Sequence, residues 1–185
     1  ADGVANASEG VEAVFDLGGC TCDVSILGRT QGVFEVIATG GDSALGGDDY
    51  DAALADWVLG QVGVAPQTPA DKTAARLAAR DCKEALTAME NVAFSASVAG
   101  ARVHFDVKRS DFEAVTAPLT ARSLAAVRRA LRDARLAPQE VQGVVLVGGA
   151  TRMPQIQAAV GDYFGRPPLT NLNPDEVVAL GAALQ

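Results

Sequence analysis

The sequence predicts an α/β fold, on three observations. Three strand-like segments follow one another near the start, at 11–16, 22–28 and 33–39, with turn residues between them. Helical patterns then fill most of the middle. Late in the chain, Val141-Gln142-Gly143-Val144-Val145-Leu146-Val147 reads as a buried strand, apolar without alternation, as central strands are. The antiparallel meander at the start excludes a simple Rossmann opening.

At 185 residues the chain is one large domain or two small ones, with ample material for a core. Hydrophobic residues at 49% and charged residues at 21% give the profile of a soluble globular protein. No apolar run approaches the roughly 20 residues of a membrane helix. A net charge of −8 and a pI near 4.6 argue against nucleic acid or an anionic membrane as partner. Three cysteines and no signal peptide read as reduced thiols in a cytosolic, hence cytoplasmic, protein. Cys20-Thr21-Cys22 with one His in the chain is a poor metal site. The chain starts at Ala1 rather than Met and stops at Gln185 within an apolar, helix-like segment, so it reads as a piece of something longer.

In order, Val14 to Leu27 reads as a β-hairpin. Apolar residues lead into Asp16, a tight Gly18-Gly19 turn follows, and Val24 and Ile26 alternate with polar residues on the way out. Cys20 and Cys22 are expected on one face of the second strand. Gly40 to Asp51 is a second glycine-rich loop, loaded with acids, which feeds a helix at about 48–60. Its aspartates lack EF-hand spacing and read as acids at a helix start, favoured by the macrodipole. Thr68-Pro69-Ala70-Asp71 opens the next helix, with Thr as N-cap and Pro at N1. There Ala74, Ala78, Cys82, Ala85 and Met89 are expected as the buried stripe. Arg80, Lys83, Glu84 and Thr87 fall off it. They are either a solvated face with an Arg80–Glu84 pair or, for Lys83 and Thr87, a wall facing a ligand. Periodicity does not choose.

Two short strands between 91 and 107 turn at Ala99-Gly100, and His104, out of register with Val103 and Phe105, reads as structural. Ser110-Asp111-Phe112-Glu113 matches a capping box. The helix behind it runs to about Arg135, with Pro118 expected to kink it and to mark a lobe boundary. After the buried strand, Gly148-Gly149-Ala150-Thr151-Arg152 leads into a helix through Ile156, Val160 and Phe164. Strand, Gly-Gly turn and helix N-terminus make an anion site. Asn173-Pro174-Asp175-Glu176 opens a last helix.

The chemistry concentrates at the two glycine turns. At the hairpin tip Asp16, Gly18, Gly19 and Thr21 combine an acid, two glycines and a hydroxyl. Glycines let backbone N–H groups approach an anion, and an aspartate beside them makes sense with a divalent cation between. Alone, D-x-G-G-x-T reads equally as an ordinary turn. No G-x-x-x-x-G-K-[ST], Ser-His-Asp set, H-E-x-x-H or paired C-x-x-C is present. Two such turns at strand ends, roughly 130 residues apart with a helical insertion between them, are far more specific.

At this point the chain resembles the second lobe of the ATPase domain of DnaK-type, heat-shock-seventy chaperones. The resemblance rests on Phe15 to Leu27, Gly32 to Thr39, Leu45 to Asp51, Leu146 to Pro154 and Asn173 to Ala183. Gly41 to Gly47, Phe164 to Thr170 and the shortened region before Lys83 look most like the branch dedicated to iron–sulfur cluster assembly. The resemblance implies an actin-like ATPase fold, a ribonuclease H-like lobe with an inserted α+β subdomain. Residues 1–45 and 118–185 would form the core lobe and 46–117 the outer subdomain. It implies ATP or ADP with Mg: Asp16 would hold the hydrated Mg, Gly18, Gly19, Cys20 and Thr21 would form the phosphate loop, and Asp23 would lie near the attacking water. Gly46 and Gly47 would line the cleft. Lys83 and Thr87 would contact ribose and adenine, while Gly148, Gly149, Ala150 and Arg152 would form the adenosine floor with Asp175 close by.

Partners implied are a first ATPase lobe and a peptide-binding domain in the parent, a J-type co-chaperone, an iron–sulfur scaffold protein and a nucleotide exchange factor at the outer subdomain. The sequence also departs from the family pattern. Cys20 replaces a third glycine, Cys22 a Phe, and Ala150 a Ser. Arg80 stands where a ribose-binding Glu is common, and Glu84 where an Arg often stacks on the base. Without the first lobe's charges the piece alone is expected to lack ATPase activity. The competing readings are another actin-fold member, such as a small-molecule kinase or filament protein, and a non-enzymatic module.

Overall fold

A computed structural model of the chain describes residues 9–170. The last expected helix, with Asp175, lies outside the described residues. A four-stranded sheet of order β3-β2-β1-β6 carries the fold. β1 (Gly10–Leu17), β2 (Cys22–Thr30) and β3 (Val33–Asp42) form the antiparallel meander expected from sequence. β6 (Gly143–Val147) then pairs parallel to β1, Ala13 opposite Val144 and Asp16 opposite Val147. β6 is the edge strand of this sheet, and an isolated bridge covers its outer side at one point, through Leu146 N to Leu169 O at 3.1 Å and Leu169 N to Val144 O at 2.7 Å. A bulge between Ile26 and Leu27 puts both side chains out of water.

α1 (Gly47–Val62) and α2 (Pro69–Ala85) follow the meander, then β4 (Asn91–Val98) and β5 (Ala101–Lys108), a separate two-stranded sheet. α3 (Arg109–Ala134) packs on β2 and β3, and α4 (Pro154–Phe164) packs on α3. One hydrophobic core joins these layers, with Phe15, Ile26, Val127 and Leu131 in the main sheet region and Phe94 and Val107 in the smaller one. His104 is exposed on β5, as expected.

Several expectations are corrected. The buried stripe of α2 is Ala75, Ala79, Cys82 and Leu86, and Met89 is exposed. The helix ends at Ala85, before the expected stripe is complete, so a rival set at similar spacing faces the core. Arg80 pairs with Asp48 and Asp51 rather than Glu84. The Ser110 capping box does not form: the N-cap of α3 is Lys108. Arg109 anchors that start instead, its guanidinium donating to the carbonyls of Leu86, Thr87 and Met89 just past α2. The helix expected to run to about Arg135 is α3, which contains Pro118 and ends at Ala134. Cys20 and Cys22 do not share a face, because Cys20 sits in the loop, exposed, and Cys22 is buried at the strand start.

Candidate functional site

The hairpin tip is a four-residue loop, Gly18 to Thr21, rather than a two-residue turn, closed by Gly18 N donating to Thr21 O at 3.0 Å. α1 starts on top of it. The first orphan amides of that helix, Gly47 and Asp48, donate to the carbonyls of Gly18 and Gly19, each at 2.8 Å. Asp49 Oδ2 accepts from the Gly46 amide at 2.8 Å, so this aspartate caps the helix as expected. A methyl at Gly46 would overlap the Gly19 carbonyl and the Cys20 amide, so the approach needs glycine. The amides of Gly19 and Cys20 have no hydrogen-bond partner among the described residues.

Gly148 brings the second turn beside the first. It has φ of 91°, and a Cβ there would lie 2.6 Å from Asp16 Oδ1 and overlap the Leu17 carbonyl. The chain then makes a 3₁₀ turn, Gly149–Arg152, and only after Met153 enters α4. The helix expected after Arg152, through Ile156, Val160 and Phe164, is α4, and these three residues are its buried face. The Thr151 hydroxyl donates to Gly148 O at 2.6 Å and fixes this turn.

Between the two turns and α2 lies a cleft of about 520 Å³. Of the residues singled out from sequence, Gly18, Gly19, Gly47, Lys83, Thr87, Gly149, Ala150 and Arg152 line it together. Gly46, Cys20 and Gly148, and with them Asp16, Thr21 and Asp23, are not among the residues that line it. Asp16 and Asp23 sit opposite one another in the β1–β2 register. Burial, and next the charge of Asp23, push the Asp16 carboxyl above its ordinary range. The Thr21 hydroxyl donates to Asp23 Oδ2 at 3.0 Å.

The exposed Cys20 side chain turns toward the start of α1. Its Sγ turns to Asp48 Oδ2, 3.5 Å away. That hydrogen bond, and then the Asp48 charge, raise the thiol above its ordinary value.

Sequence reasoning missed a charge network on the α2 wall. Lys83 Nζ lies 2.7 Å from Asp51 Oδ1 and donates to Gly47 O at 3.1 Å, while Arg80 reaches Asp51 at 3.1 Å and Asp48 at 2.6 Å. Asp51 and Lys83 are buried. The only sequence signal was an acid-rich helix start followed, about one helix later, by paired cations. Glu84, Ala88 and Met153 also line the cleft. Among the described residues no cluster of three or more His, Cys, Asp or Glu could hold a metal, and no helix is long and apolar enough to cross a membrane.

A meander joined in parallel to a late strand, with glycine turns at both strand ends lining one cleft, defines a mixed α/β fold. The family model for Hsp70 protein matches residues 1–185, and the chain belongs to that family, with its actin-like ATPase fold. Among its relatives, a protein named chaperone protein HscA homolog from Acidovorax ebreus (strain TPSY) is 72% identical over 183 residues. That alignment covers 99% of this chain and 29% of the relative. The proteins of the same name from Delftia acidovorans (strain DSM 14801 / SPH-1) and Cupriavidus pinatubonensis (strain JMP 134 / LMG 1197) are 69% and 56% identical, over 99% of this chain. They are covered to 29% and 30% of their length, so the chain spans under a third of the relatives it matches.

Proposed function

We propose that the chain is the second lobe of a chaperone ATPase and that its cleft takes the phosphates and nucleoside of ATP or ADP with Mg. The observation that carries the reading is that Gly19 and Gly149, far apart in sequence, line one cleft. In this reading the amides of Gly19 and Cys20 receive the terminal phosphates, helped by Gly18 and Thr21. Asp16 holds a hydrated Mg, and Asp23 orients the Thr21 hydroxyl near the reacting phosphate. The donor set fits such a cation: two facing carboxylates, beside amides without partners, repel each other unless a divalent charge sits near them. Mg, when bound, neutralises charge on the transferring phosphoryl group. Gly46 and Gly47 shape the wall, Lys83 and Thr87 face the nucleoside, and Gly148, Gly149, Ala150 and Arg152 form its floor.

The remaining charges for hydrolysis come, in this reading, from another lobe of a longer protein, whose peptide-binding domain reads the nucleotide state. Residues 1–45 and 118–185 are the core lobe and 46–117 the outer subdomain, in keeping with the separate β4–β5 sheet and the helices packed on it. The names of its relatives support a place in the HscA branch. With it come a role in iron–sulfur cluster biogenesis in the cytoplasm, a J-type co-chaperone, an iron–sulfur scaffold partner and an exchange factor at the outer subdomain.

The test is calorimetric titration of ADP-Mg into the full-length protein carrying this chain. Binding is expected, with its Mg dependence lost in Asp16→Ala. The isolated chain should show no turnover. No binding by the full-length protein, or turnover by the isolated chain that Asp16→Ala removes, overturns the respective part.

A further inference from the structure

The charged groups lining the cleft fall into two sets. Asp48, Arg80 and Lys83 are committed: Arg80 to Asp48 and Asp51, and Lys83 to Asp51 and the Gly47 carbonyl. Glu84 and Arg152 are not. Both line the cleft, both are exposed, and neither has a hydrogen bond or ion pair among the described residues. From this division we infer that Glu84 contacts the ligand directly, accepts hydrogen bonds from donor groups of the nucleoside, and so sets which nucleotides the cleft takes. The inference rests on the nucleotide reading above and deepens it.

Position along α2 excludes the phosphates as the partner of Glu84. Asp48 donates its amide to Gly19 O at 2.8 Å, and Arg80 lies 2.6 Å from the same Asp48, so Arg80 marks the glycine-loop end of the stretch of α2 that lines the cleft. Glu84 comes four residues later, which is about 6 Å further along an α-helix. A carboxylate there repels an anionic group, so the phosphates stay at the glycine end and the nucleoside meets Glu84. Thr87 and Ala88 extend the same wall by another turn. On the 3₁₀ turn, Arg152 is the uncommitted cation among the described lining residues, and its flat guanidinium suits the face of a base.

With Arg80 and Lys83 tied down, the α2 wall offers the ligand an acceptor instead of donors. A carboxylate covered by a ligand that brings no donor loses its water without replacement, a penalty that falls on the wrong ligand. Two parts of a nucleotide supply suitable donors: the ribose hydroxyls and the exocyclic amine of adenine. The chemistry is the same, and analogues separate the two sources.

The experiment measures equilibrium binding of ADP, 2′-deoxyADP and IDP, each with Mg, to the full-length protein and to its Glu84→Ala, Glu84→Gln and Arg152→Ala variants. Glu84→Ala is expected to weaken ADP about tenfold, the size of one charge-assisted hydrogen bond. Discrimination by the unsubstituted protein against 2′-deoxyADP or against IDP should collapse in the same variant, naming the ribose or the amine as the donor. Glu84→Gln, which keeps one acceptor, should retain part of it. If Glu84→Ala leaves all three affinities within twofold while Arg152→Ala still weakens ADP, the cleft is right and Glu84 is not its reader. If the unsubstituted protein binds none of the three, the nucleotide reading falls and this inference with it.

Discussion

Lys83 Nζ and Asp51 Oδ1 lie 2.7 Å apart, with side-chain exposures of 10% and 3%. The contact joins the last turn of α2 to the first turns of α1, at the wall of the cleft. Removing either partner is not equivalent. Asp51→Ala leaves the Lys83 ammonium buried with only the Gly47 carbonyl and is expected to cost about 3–5 kcal/mol. Lys83→Met leaves Asp51 still bonded to Arg80 and should cost clearly less. Urea unfolding of the three proteins checks the order, and equal losses would mean that Arg80 gives Asp51 no compensation.

Gly148→Ala places a Cβ on a backbone with φ of 91° and against Asp16 and the Leu17 carbonyl. The backbone there combines positive φ with an extended ψ of 146°, a region almost confined to glycine that costs an L side chain about 1–3 kcal/mol, and the overlap adds to it. The loss should exceed about 2 kcal/mol, and ADP binding should fall further than stability alone explains because Asp16 is displaced. A variant with unchanged unfolding midpoint would contradict the close approach.

The thiols should separate by chemistry. Native alkylation at neutral pH should label Cys20 alone and slowly, faster as pH rises through its raised pKa, while denaturant exposes all three. Burial pushes Cys22 up to about 12 and Cys82 up to about 11, against 9.0 for a solvated thiol. Their contribution to stability is therefore whole below pH 9 and lost as pH rises toward 11 and 12. A urea midpoint that falls above pH 9, and falls less in Cys22→Ala, is the expected result. An alkaline decline identical in Cys22→Ala would assign the effect elsewhere.

The start of α3 offers a paired test. Arg109→Ala orphans the carbonyls of Leu86, Thr87 and Met89 and should cost about 1–3 kcal/mol. Ser110→Ala, where a capping serine would matter, should stay within about 0.5 kcal/mol. Thermal unfolding of both variants decides, and the reverse order would restore the capping box.

The hairpin, the Thr68 cap and the buried strand β6 were legible because each is written in neighbouring residues: alternation, Thr-Pro with Asp71 closing the box, an unbroken apolar run. The Thr68 box is seen in full, Asp71 N donating to Thr68 Oγ1 at 3.1 Å and Thr68 N to Asp71 Oδ2 at 3.0 Å. Ser110 failed under the same rule because a tertiary contact of Arg109 moved the helix start by two residues. The face of α2 was misread because alanines recur at several registers and only packing chooses one. The glycine turns were readable as parts of a site, yet their meeting depends on β1 finding β6. The Asp51–Lys83–Arg80 network is a pairing between helices, with no local pattern to announce it.

Pairing β1 with β6 ties Asp16 to Val147 across about 130 residues. During synthesis the hairpin and both outer helices emerge before that strand exists, and closing so long a loop is slow compared with forming the local elements. The half of the pocket that holds Gly19 is therefore made early and waits with its floor missing. If the cleft takes a nucleotide as proposed, a nascent chain captures it only after β6 has left the ribosome, and ligand capture then reports that the two turns have met.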